Sequence, residues 1–223
     1  MLNTILLMKI AFLIIFLIST CIHLYASSKK DRKLRNLTKP FILPSLIGIY
    51  VVGANEVRFA IVLALFFSWI GDLFLMIKGV KYFTIGGISF MIGHFFFCLG
   101  YSCDVVLSKI HPAISLVLIA FFSVVVTYTF GKLKPYLPKK LFYPMMLYLF
   151  INGAMNCFAI FRHISLIGEG YAGIVTLIGA ALFFVSDSTL FFVRFKNAYE
   201  KQNHFWVMLT YSFGELLIVL GLL

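Results

Sequence analysis

A chain of 223 residues that is 62% hydrophobic and only 12% charged, with mean hydropathy +1.02, lies far from the soluble norm of about half apolar and about a quarter charged. It reads as an integral membrane protein of one domain, 1–223, since no Gly/Ser-rich or Pro-rich linker and no long hydrophilic block divides its apolar runs. The net charge of +11 does not point to nucleic acid, because the basic residues fall in short stretches between those runs, where they orient a membrane protein.

The first apolar run, near 4–25, is long enough to cross a hydrocarbon core of about 30 Å. It lacks a strongly basic start and a clear A-x-A site, so it is a retained span rather than a signal peptide. Lys29, Lys30, Arg32, Lys33 and Arg35 follow, and Thr38-Lys39-Pro40 leads into a shorter run broken by Pro and Gly, near 41–53. Further runs lie near 59–77, 83–101, 113–130, 141–161, 171–193 and 205–222. The fold class is therefore all-α, a polytopic transmembrane helical bundle of about eight spans. Cys21, Cys98, Cys103 and Cys157 form no C-x-x-C pair and fall mostly in apolar runs, as small buried hydrophobes do.

Charge alternation tests the count. The stretches after spans one, three, five and seven hold six (Lys29, Lys30, Arg32, Lys33, Arg35, Lys39), two (Lys78, Lys81), four (Lys132, Lys134, Lys139, Lys140) and three (Arg194, Lys196, Lys201) of the nineteen basic residues. The other side has Arg58, Lys109 and Arg162, with Lys9 near the start. The positive-inside rule then places both termini on the non-cytoplasmic side. Dropping the weak second span would break the alternation.

Two of these spans carry a carboxylate. Asp72 sits in Phe66-Phe67-Ser68-Trp69-Ile70-Gly71-Asp72-Leu73, and Asp187 sits in Phe183-Phe184-Val185-Ser186-Asp187-Ser188. An ionisable residue inside the membrane costs several kcal/mol and is a functional-site hypothesis by default. Asp72 lies six residues before Lys78 and Asp187 seven before Arg194, which puts both roughly 9–11 Å from the same membrane face. The halves also echo one another. Gly71-Asp72-x-x-Leu75 matches Ser186-Asp187-x-x-Leu190, and Ser89 to His94 matches Thr210 to Glu215. A four-plus-four parallel repeat explains this, and so does chance similarity among apolar helices. The small residues Ser68, Gly71, Gly179, Ala180 and Ser186 would let helix backbones approach closely near the aspartates.

His94 and Glu215 fall near mid-membrane, where they could bind a head group, tune the aspartates or relay protons, or simply bond a neighbouring helix. Asn152 and Asn156, one turn apart, suit a polar seam or helix-helix contact. Tyr148 and Tyr211 suit packing with a satisfied hydroxyl. There is no G-x-S-x-G elbow, no H-E-x-x-H site and no glycine-rich phosphate loop. A metal would require Asp72, Asp187, His94 and Glu215 to meet in space, and no metal or cofactor is assigned. What remains is a carboxylate pair in low dielectric. Such a pair favours one protonated and one ionised member, suited to acid-catalysed cleavage through an oxocarbenium-like state.

The ordered set Thr38-Lys39-Pro40, Gly71-Asp72-x-x-Leu75-Met76, Gly86 through His94, Phe184-Val185-Ser186-Asp187-Ser188, Arg194-Phe195 and Met208-x-x-Tyr211 resembles the YhhN-like lysoplasmalogenases, small membrane proteins with about eight spans. The resemblance runs over most of the chain. It implies a hydrolase that cleaves the vinyl ether bond of lysoplasmalogen to a fatty aldehyde and glycerophosphoethanolamine or glycerophosphocholine, with the family's two aspartates on Asp72 and Asp187. His94, Glu215, Tyr211, Asn152, Ser186 and Lys39 are the candidate substrate-binding or supporting residues, and a lysophospholipid is the expected partner, with no nucleic acid or protein partner evident. Glu215 is a departure, since the family usually has Gln four residues after this Tyr. The rival reading is a small proton-coupled transporter using the same carboxylates as an ion path, and a third is a regulatory lipid-binding protein. The loop lengths suggest a bacterial plasma membrane, or the endoplasmic reticulum if the source is eukaryotic.

Overall fold

The computed structural model describes residues 2–196 and 204–223; Lys201, counted above among the basic residues after the seventh run, lies outside them. The described chain is all helical apart from turns: α1 (Leu2–Ser28), α2 (Arg32–Gly53), α3 (Phe59–Met76), α4 (Val80–Ser102), α5 (Pro112–Leu133), α6 (Phe142–Ser165), α7 (Ala172–Phe195) and α8 (Phe205–Leu220). Seven of them are long and apolar enough to cross a membrane. The eighth is apolar but has only 16 residues, roughly 24 Å at 1.5 Å per residue, short of the hydrocarbon core.

The largest departure from the sequence reading is α2. A run near 41–53 was expected, yet the helix starts nine residues earlier, because Asp31 caps it by accepting from the Leu34 backbone N–H at 3.1 Å. Arg32, Lys33, Arg35 and Lys39 are therefore helical and not loop residues. Pro40 and Pro44 lie inside the helix. Pro44 has no N–H for the carbonyl four residues back, and that carbonyl, Pro40 O, accepts instead from Trp69 Nε1 of α3 at 3.0 Å. The proline that made the run look interrupted thus leaves an acceptor that binds α2 to α3.

Small residues set the close helix pairs. A Cβ on Gly86 would stand 3.0 Å from Gly71 O, and one on Gly93 would stand 3.0 Å from Ala64 O, so α4 approaches α3 backbone to backbone. Gly179 and Gly214 face each other in the same way between α7 and α8, where added Cβ atoms would lie 2.7 and 2.9 Å from the opposing glycine carbonyl. The cysteines are free, with Cys98 and Cys157 buried as expected and Cys21 and Cys103 exposed.

At the end of the bundle opposite the α1–α2 turn, one carboxylate holds three connections. Asp104, just past α4, accepts from Arg58 Nη1 at 2.8 Å and Nη2 at 2.5 Å, and from Arg162 Nε at 2.7 Å. Arg162 also donates to Thr176 Oγ1 at 2.7 Å and Ala172 O at 3.2 Å on α7. Burial opposes the charge of Asp104, but the two guanidiniums outweigh it and hold the carboxyl below its ordinary value. A carboxyl so depressed contributes stability at pH above its unfolded value, about 4, and loses it as pH falls through the folded value. We expect Asp104→Asn to cost about 2–4 kcal/mol, because it leaves Arg162 partly unpaired. Thermal unfolding in detergent should show a gap between parent and variant that is full above about pH 5 and narrows on acidification below about pH 4; a gap that does not change with pH would refute the ionic account.

Candidate active site

At the basic end of the bundle, α1, α2, α3, α4, α7 and α8 enclose an open cavity of about 240 Å³. Both sequence-selected aspartates line it. The helices carrying them end at different points: Asp72 is four residues from Met76 and Asp187 eight from Phe195, about 6 and 12 Å along the axis. Their depths below the helix ends are therefore less equal than the spacing to Lys78 and Arg194 suggested, but they reach one cavity.

The two carboxyls are held differently. Asp72, 2% exposed, has Lys39 Nζ at 2.9 Å from Oδ1 and accepts from the Tyr211 hydroxyl at 3.0 Å on Oδ2. The Lys39 ammonium, carried in by the early start of α2, balances its charge. Asp187 accepts on Oδ2 from the Tyr148 hydroxyl at 2.5 Å and from Asn152 Nδ2 at 2.8 Å. Those donors are both neutral. Asn152 is steadied in turn by Asn156, whose Nδ2 donates to its backbone carbonyl at 3.0 Å. His94 Nε2 lies 3.4 Å from Asp187 Oδ2, without the alignment of a hydrogen bond. Asp187 lines the cavity and is 4% exposed.

The remaining candidates divide. Tyr211, Ser186 and Lys39 line the cavity, although the Ser186 hydroxyl is engaged in donating to Val207 O at 2.9 Å, a contact that ties α7 to α8. His94 and Asn152 stand one layer behind, against Asp187. Glu215 is fully buried beside Ser68 of α3 and does not line the cavity, and neither of its oxygens makes a well-aligned hydrogen bond. Phe183 fills the centre of the cluster, with ring centroids 4.7 Å from His94, 5.2 Å from Tyr211 and 6.2 Å from Phe90. Among the described residues, His, Cys, Asp and Glu form no group of three able to hold a metal ion.

Two features were missed from the sequence. Tyr148 was read as packing, yet it is a direct partner of Asp187. The mouth of the cavity is lined by Lys30, Arg32, Arg35, Lys78 and Arg194, which were read as orienting charges, Arg194 also as part of the family pattern. The clue available was their position, since each lies within a turn or two of a helix end on the side nearest the aspartates. The arrangement offers a cation-rich entrance suited to an anionic group and, below it, two carboxyls of different surroundings shielded from bulk water.

A family model described as the YhhN family matches residues 34–222. No curated protein and no solved structure matches the chain.

The Lys39–Asp72 pair is buried, with 12% and 2% of the two side chains exposed. We expect Lys39→Met to destabilise the protein by about 3–5 kcal/mol, because it strands a buried carboxylate. Lys39→Met with Asp72→Asn should recover most of that loss, as no lone charge remains. Melting temperatures of the parent, both single variants and the double variant in detergent check this, and simple additivity would show the two residues to be uncoupled.

Proposed function

The chain belongs to the YhhN family, and we propose that it is a membrane hydrolase of the lysoplasmalogenase type, which cleaves the vinyl ether bond of a lysoplasmalogen to a fatty aldehyde and a glycerophosphoethanolamine or glycerophosphocholine. The observation that carries this reading is the placement of Asp72 and Asp187 on one cavity beneath a mouth lined by Lys30, Arg32, Arg35, Lys78 and Arg194. The phosphate of the head group fits the cationic mouth. The ether bond then lies at the level of the carboxyls, and the chain beyond it is hydrocarbon.

The chemistry follows from the two environments. Asp187, which accepts from the neutral donors Tyr148 and Asn152 and lines the cavity, gives a proton to the vinyl carbon beta to the ether oxygen. That leaves an oxocarbenium ion, which the charge of Asp72 stabilises from a position fixed by Lys39 and Tyr211. Water adds to the cationic carbon and its proton returns to Asp187, forming a hemiacetal. The hemiacetal collapses with breakage of its bond to the glycerol oxygen, which takes up the hemiacetal proton. One water is consumed, and aldehyde and alcohol are formed. No covalent nucleophile and no cofactor is called for.

The test is aldehyde release from purified protein in detergent given a 1-alkenyl lysophosphatidylethanolamine. We expect Asp72→Asn and Asp187→Asn each to lower release by about 10²–10⁴-fold with the fold retained, the usual worth of a positioned acid or base. Glu215→Gln, off the cavity, should change it far less. In deuterium oxide the product aldehyde should carry one deuterium at carbon 2, where the proton is delivered. A folded parent that releases no aldehyde overturns the assignment, and solute uptake driven by a proton gradient in sealed vesicles would then make the carboxylates an ion path.

A further inference from the structure

Beside the cavity, a narrow crevice of about 40 Å³ opens between α4 and α6, with Gly87, Ile88 and Met91 on one wall and Pro144 and Met145 on the other. Among the described residues, no charged side chain lines it. Thr84, a polar residue at its edge, turns its hydroxyl back onto Val80 O at 2.9 Å. Two residues join the crevice to the cavity. Phe83 lines both, and Tyr148, whose ring lines the crevice, places its hydroxyl on Asp187 Oδ2.

Gly87 is the second observation. Its neighbours Gly86 and Gly93 are required by close helix contact, since a Cβ at either would stand 3.0 Å from a carbonyl of α3. A Cβ at Gly87 would meet nothing within 4 Å, and its backbone is ordinary helix. Glycine inside a helix costs about 0.5–1 kcal/mol relative to alanine, and no packing partner accounts for it at this position. A side chain at Gly87, which lines the crevice, would project into open space.

We infer that this crevice takes the hydrocarbon chain of the substrate, a single linear chain lying against Gly87 and Met91, while the head group occupies the basic mouth. The inference rests on the vinyl ether hydrolase reading. It places the boundary between polar and apolar surroundings at Tyr148 and Asp187, which is where the bond to be cleaved joins polar head to apolar chain. A bilayer lipid merely filling a surface groove would have no need to end at Asp187. The aldehyde product keeps the chain and departs through the crevice into the bilayer, and the glycerophospho product departs through the basic mouth.

The experiment has two arms. In the first, the intact protein is photolabelled with a non-cleavable alkyl-ether lysophosphatidylethanolamine carrying a diazirine in the chain, and labelled peptides are mapped. Labelling should concentrate on the segments containing Met91 and Met145 and should fall when unlabelled lyso-ether lipid competes. Labelling spread over the exposed faces of α1 and α5, or indifferent to competition, would assign the crevice to bulk bilayer lipid and overturn the proposal. This arm needs no turnover, so it stands apart from failure of the hydrolase reading. In the second, Gly87→Leu is compared with Gly131→Leu, a glycine of α5 that also has nothing within 4 Å of an added Cβ. Gly87→Leu should raise KM for a sixteen-carbon alkenyl substrate at least about tenfold, the equivalent of losing burial of two methylenes. KM for a four-carbon substrate should stay close to the parent value, and Gly131→Leu should change neither. An equal effect on both chain lengths, or no effect on the long one, would overturn the proposal.

Discussion

The arrangement of helices depends on one constraint: a carboxylate placed among apolar helices must find its partners inside the protein. Asp72 draws Lys39 from α2 and Tyr211 from α8, and Asp187 draws Tyr148 and Asn152 from α6. Each contact reaches a different helix from the one carrying the acid. The polar partners therefore tie α3 to α2 and α8, and α7 to α6, while facing small residues hold α4 against α3 and α8 against α7. Hydrophobic burial could not make that choice, because lipid chains are as good a solvent for Leu and Phe as another helix is.

The internal echo gains content from these contacts. The pairs α3 with α4 and α7 with α8 are packed alike, each through facing small residues. Yet the polar connections cross between the pairs. Tyr211 of α8 bonds the aspartate of α3, and His94 of α4 stands beside the aspartate of α7. Phe90 and Tyr211, which fall at corresponding places in the two similar segments, meet at 5.9 Å between ring centroids. A site divided in this way between two similar units belongs to neither alone, as in membrane proteins whose repeats enclose a site at their interface.

Much of this was legible in the sequence because hydrocarbon makes exceptions conspicuous. An Asp in a run of Phe, Leu and Ile has few innocent explanations, so Asp72 and Asp187 could be picked out, and the apolar runs located the helices to within a few residues. The start of α2 was not legible, since Pro40 and Pro44 signal interruption and nothing in the linear order says that Trp69 will take up the freed carbonyl. Tyr148 was hidden for a different reason: a tyrosine in an apolar helix has the same pattern whether its hydroxyl meets a backbone carbonyl or a carboxylate. Ser186 lines the cavity beside Asp187 while its hydroxyl donates to Val207 O, a bond the linear order does not show either. The crevice had no positive signal at all, because its mark is a side chain that Gly87 lacks.

The cations at the mouth join orientation to chemistry. Lysines and arginines clustered at one end of a helical bundle fix which way it sits in the membrane, and here Lys30, Arg32, Arg35, Lys78 and Arg194 also surround the entrance to the cavity. In the proposed function, the side on which the protein is basic is the side that receives the phosphate. The carboxyls lie about 6 and 12 Å inside the helix ends, and the ether bond of a single-chain lipid lies just below its head group. In the proposed reaction, a lipid resting in the leaflet on the basic side already holds that bond near the depth of Asp72 and Asp187, and the inferred chain site gives it a sideways route between α4 and α6. Burying the carboxyls at that depth costs free energy, and the matching position of the bond is what that cost secures for the proposed reaction.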